Sequence, residues 1–379
     1  MTRAKPNVDN YEKVYQSVSE NNYMDEPFGA DSKVANMGYI AIDRQVDRGY
    51  GDEKAIRWEG IKKEDTDYDV TDRTYKQVME NSNKFANLLE ELGAKKGDKI
   101  VVYSELYPEA TEAMVGALKA GLVLTPVFPS IHGQGLTARI NYSDAKYVVV
   151  DSRNYANLKK AEDSIENDPK RIIIDKSPVD DDLYRTDDVI YSEMDNILED
   201  KVEDPKSYNA KPMDASDPAF MIFTSGTTSK IGMGKGIVHT HGSIGPIEQV
   251  GKYALDLHPG DNYWCGAHIG WITGITQGEL AAYTNGATRV QYEGRFVDPD
   301  RYYEILQDSE VDVFFTAPTV LRRLKELDES VDMDYDFSSL RQVYCVGEHL
   351  AENVIEWGED KFEVPVLDTY FQTELCHPV

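Results

Sequence analysis

The apolar positions along the chain change period several times, and each change marks an element. From Thr74 onward, Tyr75, Val78, Phe85, Leu89 and Leu92 recur on one helical face, and Gly93 stops the run. "DKIVVYS" is then a continuous apolar run of strand length. "PEATEAMVGALKAG" predicts a helix opened by Pro108 and closed by Gly121, and "LVLTPVF" a second buried strand. A helix around Gly135 to Ser143 leads to the strand "KYVVVD". Strands alternating with helices at this spacing predict parallel pairing through right-handed crossovers. Residues 160–217 are charged and less regular, carry one short strand candidate, "RIIID", and read as a connector. Beyond them the alternation resumes with "AFMIFT", "GIVHT", "NYWCG", "TRVQYE", "VDVFFTA", "QVYCVG" and "VPVLDT", separated by helical runs such as Asp300 to Gln307 and Pro318 to Leu327. The expected fold class is α/β, with two α/β lobes of similar size and a ligand cleft between them. The expected division is a polar extension over 1–36 that wraps the surface, a first lobe with its charged connector over 37–217, and a second lobe over 218–379.

Composition narrows the class. A chain of 379 residues can bury a substantial core without disulfides or metal. Its 3 cysteines, Cys265, Cys345 and Cys376, show no C-x-x-C spacing, which suits a reducing cytoplasm. The N-terminal residues lack an apolar signal core, and no apolar run approaches the ~18 residues of a membrane span. The 68 Asp and Glu against 40 Lys and Arg give a formal charge of −28, spread through well-patterned segments. Such a surface repels nucleic acid and anionic membranes, so neither is an expected partner. The composition resembles that of a halophile, in which concentrated salt screens the repulsion, with a merely acidic mesophile as the alternative.

The densest candidate chemistry is "FTSGTTSKIGMGKGIVH", residues 223–239, where hydroxyls, glycines and lysines follow a buried strand. Backbone N–H groups, hydroxyls and a lysine together suit a polyanion, above all a phosphate chain. A Walker A loop is excluded: Lys235 follows Gly234, but Ser229 stands five residues before Gly234 and Gly236 occupies the hydroxyl position. A dinucleotide fingerprint fails as well, since Ile237 stands where its third glycine belongs.

The phrase Thr224-Ser225-Gly226-Thr227-Thr228, followed by Lys-Gly before a strand and then "HTHGS", resembles the phosphate loop of the AMP-forming adenylating enzymes. Four further segments agree in order: "GWITG", "FFTAPTVLRRL", "VGEHL" and "DTYFQTE" resemble segments of the acetyl-CoA synthetases. "AIRWEG", "FANLLEELGAKKGDKIVVY" and "PEATEAMVGALKAG" resemble the same family's first lobe, so the likeness runs from about residue 37 to the C-terminus. The resemblance implies attack of a small carboxylic acid on the α-phosphate of ATP, then displacement of AMP by the thiol of coenzyme A. It implies that Thr224, Ser225, Gly226, Thr227, Thr228 and Lys235 hold the β- and γ-phosphates, with Thr224 and Lys235 among the catalytic residues. Thr373 would touch the α-phosphate and Glu374 would bind Mg²⁺, both as catalytic residues. Gly347 and Glu348 would border the adenine, with Asp368, Thr369, Tyr370, Phe371 and Gln372 lining the nucleotide site. Trp271, Ile272, Thr273, Val346 and Phe371 match the acyl pocket, which predicts short acids; larger or aryl acids are the rival, because the family's paired tryptophans are here Tyr370-Phe371. A rival of another class is a non-catalytic chain that binds nucleotide or a partner. His239 and His241 read as structural, Cys345 as packing, and His268 stays open between pocket and support.

Two departures from the family pattern stand out. The loop runs T-S-G-T-T-S-K-I-G-M-G-K-G against the usual T-S-G-T-T-G-x-P-K-G, and His349 stands where Pro is common. The sequence also stops at "QTELCHPV", before the stretch in which family members carry a small C-terminal domain with a catalytic lysine. The expectation is therefore an N-terminal portion lacking that domain, or a chain completed by a separately encoded C-terminal partner.

Overall fold

The structure is a computed structural model and describes residues 5–14, 35–62, 68–176, 184–224, 234–294, 297–331 and 333–375. Its strands are β1 (Lys54–Lys62), β2 (Tyr68–Thr74), β3 (Lys99–Tyr103), β4 (Val123–Pro126), β5 (Tyr147–Asp151), β6 (Lys170–Ile174), β7 (Val189–Ile190), β8 (Pro218–Phe223), β9 (Gly236–Thr240), β10 (Asn262–Cys265), β11 (Thr288–Tyr292), β12 (Val313–Thr316), β13 (Gln342–Cys345) and β14 (Val366–Asp368). They form two sheets of seven strands, ordered β7-β6-β5-β3-β4-β8-β9 and β14-β13-β12-β10-β11-β1-β2.

The parallel α/β expectation holds through both sheet interiors and fails at two hairpins. Pairs β8/β9 and β1/β2 are antiparallel. The expected boundary at residues 217 and 218 does not separate the sheets: β8 and β9 complete the sheet built on β3–β7, and β1 and β2 join the sheet built on β10–β14. Nor are residues 160–217 merely a connector, because "RIIID" supplies β6, buried from Arg171 to Ile174, and Val189–Ile190 pairs with it at the sheet edge.

Side-chain alternation along the strands sorts the core into layers. In β3, Val101 and Tyr103 face a cluster with Leu136, Ile140, Tyr155 and Leu158, on helices Gln134–Ser143 and Ser152–Ala161. Ile100 and Val102 face the opposite cluster, which holds Phe85, Leu89, Met114 and Leu118. Those residues lie on helices Tyr75–Glu91 and Pro108–Lys119, so the first two predicted helices fill the layer between the sheets. Thr74 opens the first of them with a capping box: its hydroxyl accepts from Gln77 N (3.2 Å), and its own N–H donates to the Gln77 side chain (2.8 Å). Trp264, Phe314 and Val343 of the second sheet pack outward on residues of helices Pro299–Asp308, Pro318–Leu327 and Glu352–Phe362.

The middle layer is also bonded to the second sheet. Trp58 Nε1 donates to the Leu106 carbonyl (2.8 Å), Tyr107 Oη to Glu293 (2.9 Å) and Gln291 Nε2 to Thr111 Oγ1 (2.8 Å). Buried polar groups paired in this way fix one relative placement of the layers. Residues 5–14 lie on the surface, where Asn7 bonds Asp256 Oδ1 and the carbonyls of Lys252 and Leu257.

Candidate functional site

The residues singled out from the sequence follow the carboxyl ends of strands in both sheets, where parallel α/β sheets place ligands. Thr224 follows β8, and its N–H donates to the Lys235 carbonyl (3.0 Å) while its hydroxyl accepts from Lys235 N (3.1 Å). This pair closes the neck of the glycine-rich loop. A side chain at Gly234 would collide with the Thr224 carbonyl and hydroxyl, so the neck needs glycine there. Ser225, Gly226, Thr227 and Thr228 lie outside the described residues.

From the neck, β9 runs back past His239, three residues or about 10 Å from Gly236. His239 Nε2 donates to the carbonyl of Thr373 (2.8 Å), and its ring lies 4.9 Å from that of Phe220. Burial lowers its pKa, against a smaller opposing effect of the Thr373 bond and Glu374. A neutral ring, protonated on Nε2, thus ties the segment after β14 to the β8/β9 hairpin. The histidine does have a structural role, and its partner lies 134 residues away.

The other segments singled out as nucleotide candidates lie together after β12, β13 and β14. Thr369 N and Oγ1 both donate to the Cys345 carbonyl at 2.9 Å, and Leu350 N donates to Asp368 Oδ2 at 3.4 Å. Glu348 is exposed beyond Gly347 and pairs with Arg322 on helix Pro318–Leu327 (2.7 Å). Tyr370 is exposed, and its hydroxyl meets the Gln372 amide. Thr373 is half-buried, and Glu374 presents an exposed carboxylate. Thr316, at the end of β12, carries a buried hydroxyl with no hydrogen-bond partner among the described residues.

Of the acyl-pocket candidates, Ile272 and Val346 are buried, and Phe371 packs against both the core cluster that contains Ile272 and the one that contains Val346. Thr273 is half-buried at the start of the helical stretch from Gly274. Trp271 is 45% exposed and lies across a cleft of about 440 Å³ that Thr224 and Phe128 also line. Its neighbour Gly270 comes so close to Phe128 that a Cβ would sit 2.5 Å from the Phe128 nitrogen. His268, left open from sequence, is a support: Nε2 donates to the Ser104 carbonyl (2.9 Å) and Nδ1 accepts from Gly270 N (2.9 Å). Phe128 and Arg139 escaped sequence reading because neither stands in a motif; their place in the cleft depends on tertiary packing.

Among the described residues no group of three or more His, Cys, Asp or Glu could hold a metal by itself. A single free carboxylate at Glu374 fits Mg²⁺ delivered on phosphate oxygens, because that ion keeps most of its shell as water and phosphate. Among the described residues, no helix is long and apolar enough to cross a membrane.

A glycine-rich sequence follows β8 at the carboxyl end of one of two α/β sheets, and comparison gives the class its name. Residues 42–379 match the family of AMP-binding enzymes, and the chain belongs to it. It is 32% identical to an acetyl-coenzyme A synthetase of Mycolicibacterium smegmatis over 89% of this chain and 36% of the relative. Acetyl-coenzyme A synthetases of Deinococcus radiodurans and Streptomyces avermitilis are 33% and 34% identical, again over 89% of this chain and 52% of each relative. The chain thus spans about half, or less, of these relatives' lengths. The fold matches a Brucella canis acyl-CoA synthetase with a TM-score of 0.81, at 22% identity, over 97% of this chain and 62% of that one. It also matches an anthranilate CoA ligase in complex with anthranoyl-AMP, with a TM-score of 0.78 at 18% identity, over 91% and 61%.

Proposed function

We propose that the chain serves AMP-forming activation of a short carboxylic acid: the acid attacks the α-phosphate of ATP to give acyl-adenylate and pyrophosphate, and coenzyme A then displaces AMP. The observation that carries this reading is the bond from His239 to the Thr373 carbonyl, which sets the segment assigned to the α-phosphate against the hairpin that bears the phosphate loop. Thr224, Ser225, Gly226, Thr227, Thr228 and Lys235 hold the β- and γ-phosphates. Thr373 meets the α-phosphate, Glu374 holds Mg²⁺, and Gly347, Glu348 and Asp368 to Gln372 border the nucleoside. Mg²⁺, when bound, offsets phosphate charge. The chain's own contribution is positioning and charge stabilisation, with no protein nucleophile. Ile272, Thr273, Val346 and Phe371, with Trp271 at the mouth, bound the acyl group. The buried, unpaired Cys265 and Cys345 fit a cytoplasmic setting.

Isothermal titration with ATP and Mg²⁺, and separately with AMP, tests the reading alongside acid-dependent pyrophosphate exchange. Binding of both nucleotides, with ATP weakened by Thr224→Val, is expected. A folded chain that binds neither nucleotide refutes the reading. Nucleotide binding with little exchange by the chain alone is expected of an N-terminal portion, and exchange that stays absent after a complete C-terminal part is supplied leaves a nucleotide-binding chain with no activation chemistry.

A further inference from the structure

The cleft beside Thr224 contains a cation the motifs do not account for. Arg139 lies on helix Gln134–Ser143, is 6% exposed, and lines the cleft with Phe128, Ser130, His132, Thr224 and Trp271. Its Nη1 donates to the Gly135 carbonyl (2.9 Å), and the guanidinium stacks 5.3 Å from the ring centre of Phe223, the residue before Thr224. Burial lowers its pKa, and among the described residues no carboxylate offsets that effect. Among the described residues no Asp or Glu lines the cleft, in a chain whose formal charge is −28. Buried guanidinium groups are ordinarily paired, because an isolated buried charge is costly. The other buried arginines follow that rule: Arg44 meets Glu248, Arg171 meets Glu162, Arg289 meets Glu279 and Arg301 meets Glu59.

We propose that Arg139 is a phosphate-binding residue outside the glycine-rich loop, which receives the terminal phosphates of a polyphosphate in the cleft it shares with Thr224. The proposal rests on the adenylate-forming reading for the identity of that polyphosphate, ATP as substrate and pyrophosphate as product. Arginine suits the task because its fork of donors matches phosphate oxygens in pairs. Stacking on Phe223 holds the fork beside the neck of the loop. The site pairs one fixed cation with the Thr224 hydroxyl, so it reads charge at the end of the phosphate chain and leaves the nucleoside to the segments after β13 and β14.

The test is titration of the whole chain and its Arg139→Gln and Arg139→Lys variants with pyrophosphate, ATP with Mg²⁺, AMP and coenzyme A. Arg139→Gln is expected to weaken pyrophosphate and ATP about 10- to 100-fold, the loss of charge-assisted bonds to phosphate. AMP, which lacks the terminal phosphates, stays within about 3-fold and shows that the variant is folded. Arg139→Lys recovers part of the loss, as a point charge without the fork. The proposal is overturned if the wild-type chain does not bind pyrophosphate, if Arg139→Gln leaves pyrophosphate unchanged, if AMP weakens equally in both variants, or if only coenzyme A weakens. Arg139-dependent pyrophosphate binding by a chain that binds neither AMP nor ATP would sustain this site and defeat the adenylate reading. AMP binding with no effect of Arg139 on pyrophosphate would do the reverse.

Discussion

His241, immediately after β9, gives a pH dependence that can be worked out. Its side chain is fully buried, Nδ1 accepts from Met37 N (2.9 Å), and Nε2 has no partner among the described residues. Burial depresses its pKa from 6.5 to about 4, against a smaller opposing pull from Asp217. The unfolded chain therefore takes up a proton at this residue as pH falls through 6.5, while the folded chain takes it up only near 4. Protons in that window favour unfolding, so the stability contribution is complete above pH 6.5 and is lost as pH falls toward 4. One pH unit of that window is about 1.4 kcal/mol, which makes the loss about 2 kcal/mol by pH 5 and about 3 kcal/mol by pH 4. His241→Gln keeps an acceptor for Met37 N and removes the titration. Urea unfolding of both proteins from pH 7.5 to 4.5 isolates the histidine, because the other carboxylates and histidines are common to both. The wild-type midpoint should fall more steeply below pH 6.5, with the two curves converging toward acid. Parallel curves across that range would show that His241 does not stay neutral in the folded protein.

Three further outcomes are expected. Gly270→Ala, whose Cβ would meet backbone of Phe128 at 2.5 and 2.8 Å, should cost about 1–3 kcal/mol in urea unfolding as an overpacked contact; an unchanged midpoint would mean the contact yields freely. Phe371→Gly, by emptying the space between the clusters of Ile272 and Val346, should shift acid-dependent exchange from acetate toward octanoate when the chain is supplied with a complete C-terminal part, and a wild-type preference for octanoate would remove the pocket assignment. With a charge of −28, dialysis from molar KCl to about 0.01 M, where screening reaches about 30 Å, should lower the thermal midpoint; a midpoint that rises or stays level would defeat the halophile reading.

Legibility differed with how locally each feature is determined. Strands β5 and β6 were plain because both faces are buried and the sequence reads as an apolar run. Strand β1 was missed because its core residues Ala55, Ile56 and Trp58 stand among Lys54, Arg57 and Glu59 without a clean alternation. Strand β2, an edge, shows no buried position at all. The loop and "QTE" stand out as candidates because their residues are contiguous in sequence. Arg139 does not: one arginine in an amphipathic helix looks solvated until the cleft closes around it. The His239 bond to Thr373 joins residues whose proximity follows only from the way the two sheets meet.

The exchange of hairpins between the sheets also sets an order on synthesis. The sheet built on β3–β7 gains its last strand with Thr240, so it can close while the remainder is still being made. Strand β1, by contrast, pairs Ile56 with Arg289, and must wait for β11 across more than half the chain. Until then the β1/β2 hairpin presents an unpaired edge beside apolar side chains, the arrangement most open to pairing with another nascent chain. A ribosome that pauses before residue 288 would hold one finished sheet and one stranded hairpin, so chaperone demand should peak over that interval.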